Sequence, residues 1–175
     1  MAPASRLHVG FFWDASLFDY RGTLGNPYGG LLVEALQPHG VTFERLAYNR
    51  RRGAEPPAPW LSLAWVWRNR GRVNALHLHW LAGFVAARSA RGAWRKFLRF
   101  AAALCLARLL GYRIIWTLHN MLPHERPHRG VDVAGRYLMA AVTHAIICHC
   151  GYARRAYARR FRRQRDLHVI PHGNF

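Results

Sequence analysis

Histidines near the ends of apolar runs are the chemistry-bearing feature of this sequence. The segment Trp116-Thr117-Leu118-His119-Asn120-Met121-Leu122-Pro123-His124-Glu125 sets two imidazoles, an amide and a carboxylate close together. An imidazole titrating near neutrality can take a proton from a hydroxyl, and a nearby carboxylate fixes its tautomer. His119 and Glu125 are therefore candidate catalytic residues, with Asn120 and His124 as candidate binding groups. The competing explanation is structural: His119 caps a strand and Glu125 pairs with one of many arginines. In His77-Leu78-His79-Trp80, a period of two puts both imidazoles on one face. Both imidazoles then line a cleft outside the strand ends, with His79 and Trp80 as candidate binding residues, or the two histidines are satisfied polar groups at a strand terminus. No Cys or carboxylate follows at ligand spacing, which weakens a metal reading. Cys148-His149-Cys150, with His144 upstream, invites zinc. A strand would turn both thiols one way and His149 the other, however, and no second pair completes four ligands. Buried thiols in a sheet are the expectation.

A second feature is glycine-rich. Gly22, Gly25, Asn26, Pro27, Tyr28, Gly29 and Gly30 follow the first apolar run. Glycines in a first helical turn let a bulky group approach the backbone, where unpaired N–H groups favour an anion such as a phosphate. Asn26, Tyr28, Gly29 and Gly30 are candidate binding residues on this ground, against the alternative of an ordinary capped helix behind a loop. Neither the GxGxxG fingerprint nor the GxxxxGK[ST] cradle is present.

The elements that must position these residues alternate along the chain. Leu7 to Trp13, Val41 to Leu46, Ala75 to Leu78, Arg113 to Leu118, Ala145 to Cys148 and Leu167 to Ile170 read as strands, short and rich in β-branched or aromatic residues. Helical segments lie between them. The first starts at Asn26 and Pro27, a good N-cap and first-turn pair, and runs to Pro38 and Gly40. Others cover Trp60 to Arg70, Ala93 to Leu110, Val131 to Val142 and Gly151 to Arg163. The last has an apolar stripe of Ala153, Ala156, Tyr157 and Phe161, with its arginines elsewhere. Strand and helix in alternation predict one α/β domain over residues 1–175: a doubly wound, mostly parallel sheet of about six strands, Rossmann-like, with helices on both faces. Asn49 to Pro59 is the least structured segment. The end, Pro171-His172-Gly173-Asn174-Phe175, has turn chemistry, as though something else should follow.

Composition bounds the rest. The 175 residues carry 26 basic and 8 acidic side chains, a formal charge of +18, and every basic residue but Lys96 is Arg. Such a surface seeks anionic partners without naming one. Nucleic acid is disfavoured because the Arg-rich last helix has no recognised reading motif and its aromatics fall on the apolar stripe. Three cysteines form no even framework, which suits a reduced, cytoplasmic chain, and the start lacks a secretory signal. The longest apolar segment is broken by Arg95, Lys96, Arg99 and Arg108, so it does not span a bilayer. Its first half, with Trp94, Phe97, Leu98 and Phe100 among basic residues, suits an interfacial helix on anionic lipid. Its second half, Ala101 to Leu110, is apolar enough to be buried on a sheet.

Taken in order, NPYGGLLVEAL, VNALHLHW, GYRIIWTLHNMLPHE, THAIICHC and VIPHGNF resemble the N-terminal half of bacterial glycosyltransferases of the GT-B fold, family 4-like, that build exopolysaccharide or lipid-linked oligosaccharide. The resemblance spans nearly the whole chain. It implies an acceptor-binding Rossmann-like domain, with the C-terminal nucleotide-sugar domain absent and supplied, if at all, by a partner chain. It implies a nucleoside diphosphate sugar as donor, a lipid-linked or saccharide acceptor, no metal or other cofactor, and a peripheral place on the cytoplasmic face of the inner membrane. By position, Gly29 and Gly30 match the segment near the donor phosphates and acceptor. His119 matches the cleft histidine after the fourth strand, while His172 and Gly173 match the passage into the interdomain crossover. The alternatives are a non-enzymatic basic module binding RNA or anionic membrane, and a fragment that aggregates without its partner.

Overall fold

The computed structural model describes residues 7–12, 28–46, 60–122 and 128–171. All six expected strands are present, and their described ends differ by no more than a residue from those read off the sequence. They are β1 (His8–Phe12), β2 (Thr42–Leu46), β3 (Ala75–Leu78), β4 (Arg113–Leu118), β5 (Ala145–Cys148) and β6 (Leu167–Val169). They form one parallel sheet in the order β2-β1-β3-β4-β5-β6. Parallel strands need crossovers, and those described are helical: α1 (Tyr28–Leu36), α2 (Leu63–Asn69), α3 (Ala82–Val85), α4 (Ala90–Leu109), α5 (Arg129–Val142) and α6 (Gly151–Phe161). The fold is a Rossmann-like α/β sheet.

The chain steps outward from β1 to β2, then returns past β1 to β3 and continues in one direction. Right-handed crossovers therefore put α1 on one face and the later helices on the other. The cores divide the same way. Phe12, Leu76, Leu78, Trp116, Leu118 and Cys148 join the main core with residues of α2 to α6. Phe11, one position earlier on β1, packs with Val33 and is flanked by Tyr28, Leu32, Phe43 and Trp80. The direction reverses between β1 and β3, the point where open α/β sheets form a crevice at their carboxyl edge.

Local chemistry sets the helix ends. Ser62 Oγ accepts the Trp65 N–H at 3.1 Å and Ser89 Oγ accepts the Gly92 N–H at 3.2 Å, so α2 and α4 begin at serine caps. After α1, Gln37–His39 form a 3₁₀ turn closed by Gly40 in the left-handed region at φ 77°. The apolar stripe of α6 is confirmed in its carboxyl-terminal half, where Tyr157 and Phe161 are buried. Arg163 does not join the solvated arginines. Its guanidinium donates to the carbonyls of Ala140, Thr143 and His144 and so caps the carboxyl end of α5.

Two expectations need correction. The buried stripe of α4, Ala93, Phe100, Ala103, Leu104 and Ala107, runs most of its length. The helix is thus amphipathic throughout rather than buried in its second half, and Leu109 is 83% exposed. Of the thiols expected in the sheet, only Cys148 is buried. Cys150 is exposed just past β5, where its Sγ accepts the Ala153 N–H as the N-cap of α6. The short helix α3 has no counterpart in the sequence reading.

Candidate functional site

A histidine immediately follows each of three neighbouring strands: His79 after β3, His119 after β4 and His149 after β5. Strand alternation aims all three toward the face covered by α1, together with His77 and Thr117. His79 Nδ1 lies 3.0 Å from His119 Nε2, and His119 Nδ1 lies 3.3 Å from His149 Nε2. His149 Nδ1 is 3.1 Å from the carbonyl oxygen of Ile170. His77 Nε2 meets Thr117 Oγ1 at 2.9 Å.

The carbonyl at the far end decides the protons. Ile170 O can only accept, so His149 carries its proton on Nδ1 and offers Nε2 as a lone pair. His119 must then donate from Nδ1 and accept at Nε2, and His79 must donate from Nδ1. The three rings thus form one directed chain from His79 through His119 to His149, anchored on a backbone oxygen.

Aromatic rings enclose this chain. Trp80 stacks on His119 with centroids 4.6 Å apart and planes 20° from parallel. Tyr28, the first residue of α1, stands edge-on to His79, His119 and His149 at centroid distances of 5.9, 5.2 and 5.4 Å. Its hydroxyl bonds to the side chain of Thr117, and burial raises its pKa above the usual phenol value. Phe11 packs edge-on against His77 and His79 from β1. Burial drives the His77 pKa down to about 4. Burial also holds His79 well below the ordinary imidazole value, and the neighbouring histidines 77, 119 and 149 push it further in the same direction. Both rings are neutral at physiological pH.

On the outer side, a cavity of about 150 Å³ is lined by His79, Trp80, His119, Asn120 and Arg136 among others. Asn120 is exposed there. Arg136 is buried; its Nε donates to the carbonyl of Met121 at 3.0 Å and it pairs with the equally buried Asp132 at 3.9 Å. It thereby pins the segment that leaves β4.

Of the residues singled out from the sequence, Tyr28 and Trp80 each meet His79 and His119, and Asn120 borders the cavity that His79, Trp80 and His119 line. Gly29 and Gly30 are buried in the first turn of α1, directly behind Tyr28. Asn26, His124, Glu125, His172 and Gly173 lie outside the described residues. His144 is remote from the cluster: it precedes β5 and takes the Ile114 N–H on its Nδ1 at the opposite edge. The sequence reading missed His149, which it assigned to the far face of a cysteine pair, and also Thr117 and Arg136. A signal for His149 existed, since it repeats the strand-then-histidine pattern of His79 and His119. Among the described residues, no group of three or more His, Cys, Asp or Glu side chains is arranged to hold a metal.

No family model matches the sequence, and no curated protein matches it. Among solved structures, the chain is similar to a short-chain dehydrogenase/reductase superfamily protein from Agrobacterium tumefaciens with bound NAD. The two are 16% identical over 81% of this chain and 48% of that one, with a TM-score of 0.45. The chain thus spans about half the length of that protein. A hypothetical protein from Pyrococcus horikoshii OT3 is 17% identical over 82% of this chain and 70% of that one, with a TM-score of 0.22.

Proposed function

We propose that this chain is the acceptor-side domain of a glycosyltransferase. In this reading it helps to move a sugar from a nucleoside diphosphate sugar to a hydroxyl of a lipid-linked or polysaccharide acceptor, with a second, donor-binding domain facing it. The observation that carries the proposal is the meeting of Tyr28 with His79, His119 and His149 at the carboxyl edge of the sheet. That contact sets the glycine start of α1 beside hydroxyl-directed imidazoles at the reversal point of the strand order, where a sugar and its phosphates would both be within reach.

Transfer breaks the acceptor O–H bond as its oxygen attacks the anomeric carbon and the nucleoside diphosphate leaves. His119, with Glu125 beside it in sequence, is the proposed proton handler. Asn120, His124 and Trp80 bind the sugar, Asn26, Gly29 and Gly30 approach the phosphates, and His172 and Gly173 lead toward the partner domain. No metal is required in this scheme. The exposed Trp94 and Leu98 on α4, next to Arg95 and Lys96, would rest on an anionic membrane that holds the acceptor. Among the described residues no helix is long and apolar enough to cross a membrane.

The test is transfer from nucleoside diphosphate sugars to a polyprenyl-phosphate-linked saccharide, with the chain supplemented by a donor-binding domain. His119→Ala should abolish transfer while circular dichroism stays unchanged. Wild-type turnover by that variant removes His119 from the reaction. Binding to the chain that falls steeply with salt and ignores the saccharide overturns the proposal in favour of a basic anion-binding module.

A further inference from the structure

We infer that His149 is a positioning residue that receives the proton from His119, so that the working unit is a directed two-imidazole relay anchored on the Ile170 carbonyl. The inference rests on the glycosyl-transfer reading for its reaction and on geometry for its direction. Both ring nitrogens of His119 are engaged: Nε2 faces His79 Nδ1 and Nδ1 faces His149 Nε2. A lone imidazole that took a substrate proton would have to hold a full positive charge beside buried His79. With His149 behind it, the charge moves on by one hydrogen bond.

A substrate hydroxyl takes the place of His79 at His119 Nε2; its O–H bond breaks and an N–H bond forms there. The Nδ1–H of His119 passes to His149 Nε2. The hydroxyl oxygen bonds to the anomeric carbon, and the nucleoside diphosphate leaves with the electron pair of its C–O bond. The positive charge then rests on His149, which is half-buried where His79 is fully buried. Its Nδ1–H remains on the Ile170 oxygen. Water at this more open ring removes the proton and resets the chain.

The groups around His149 are consistent with the direction. Tyr28 stands against its ring from α1, and His119 tilts against it from β4, with centroids 5.0 Å apart. The Ile170 carbonyl, an acceptor only, holds the His149 proton on Nδ1. If the chain ran the other way, His149 Nδ1 would present a lone pair to the Ile170 oxygen, which is repulsive.

The experiment is long-range ¹H–¹⁵N correlation on the histidine-labelled chain near pH 8, which reports the tautomer of each ring without any substrate. His119 should be protonated on Nδ1 in the wild type. In His149→Phe, which removes the acceptor, it should become a mixture or shift to Nε2–H, and His149→Gln, with an oxygen near the place of Nε2, should restore Nδ1–H. Wild-type His119 protonated on Nε2 overturns the inference, as does an unchanged Nδ1–H tautomer in a folded Phe variant. Should His149→Phe fail to fold, the wild-type spectrum and the Gln variant decide. Failure of the transfer reading is separate: it appears as His119 signals that do not move when a polyprenyl-phosphate-linked saccharide is titrated in, whichever tautomer is found.

Discussion

The indole N–H of Trp116 donates a 2.7 Å hydrogen bond to the backbone carbonyl of His79. Trp116 belongs to the main core, whereas the His79 side chain faces α1, so this one bond ties the two sides of the sheet together at its carboxyl edge. Removing the donor leaves a buried carbonyl unsatisfied, which costs about 1–3 kcal/mol. Trp116→Phe should therefore lower unfolding stability by that amount in urea titration. It should also broaden the ring signals of His79 and His119, because the strand end that carries His79 loses its tether.

Stability should fall as the solution is acidified through the range set by the buried imidazoles. His77 has a folded pKa of about 4, below its unfolded value near 6.5, and His79 is displaced the same way. The unfolded chain therefore binds more protons in that window, so stability is full above pH ~6.5 and is lost down to about pH 4. For His77 alone the loss is on the order of 3 kcal/mol. Urea midpoints measured between pH 7.5 and pH 4 check this, and His77→Gln should flatten the slope. A midpoint constant over that range would contradict the buried neutral assignment.

Gly10 is the third residue of β1 and is hemmed in on the main-core side. A Cβ built there would lie 2.7 Å from Leu46 Cδ1 and 3.0 Å from Leu76 Cδ2. Both leucines are fully buried, so their relief requires repacking. Gly10→Ala should cost about 1–3 kcal/mol by overpacking despite its better strand propensity. Thermal melting of the variant is the measurement, with an unchanged midpoint as the contrary result.

Membrane contact should follow the exposed end of α4. Leu98 is 63% exposed and Trp94 42%, with Arg95, Lys96 and Arg99 interspersed. Vesicles containing phosphatidylglycerol should sediment the chain at low salt, whereas neutral phosphatidylcholine vesicles should not. Leu98→Glu should weaken this binding several-fold without altering the melting temperature. Equal binding by the variant would place the contact elsewhere.

Much of this architecture was readable from the amino acids because a parallel sheet covered by helices demands short, nearly continuous apolar runs. β3, buried at all four positions, and β4, buried at four of six, meet that demand. What escaped was anything that depends on the third dimension between strands. His149 looked like the centre of a cysteine pair because its neighbours in sequence are thiols, while its partner in space, His119, lies thirty residues away. The strand end at Cys148 and the helix start at Gly151 were legible, but the Cys150 thiol was expected to be buried in the sheet and instead caps α6 in an exposed position. Arg136 and Asp132 have the i, i+4 spacing common on helix surfaces, and packing against the segment after β4 buries them.

Among the described residues, α1 is the one helix on its side of the sheet. The main core is shared among five helices, but among the described residues the water-excluding cover over Phe11, His77 and His79 comes from one nine-residue element. Sub-global opening of that single element would wet all of the imidazoles at once while the remainder stays intact. Amide exchange in residues 28–36 and solvent access to the rings should accordingly share one opening rate, so that fraying of this helix and wetting of the imidazoles are the same event.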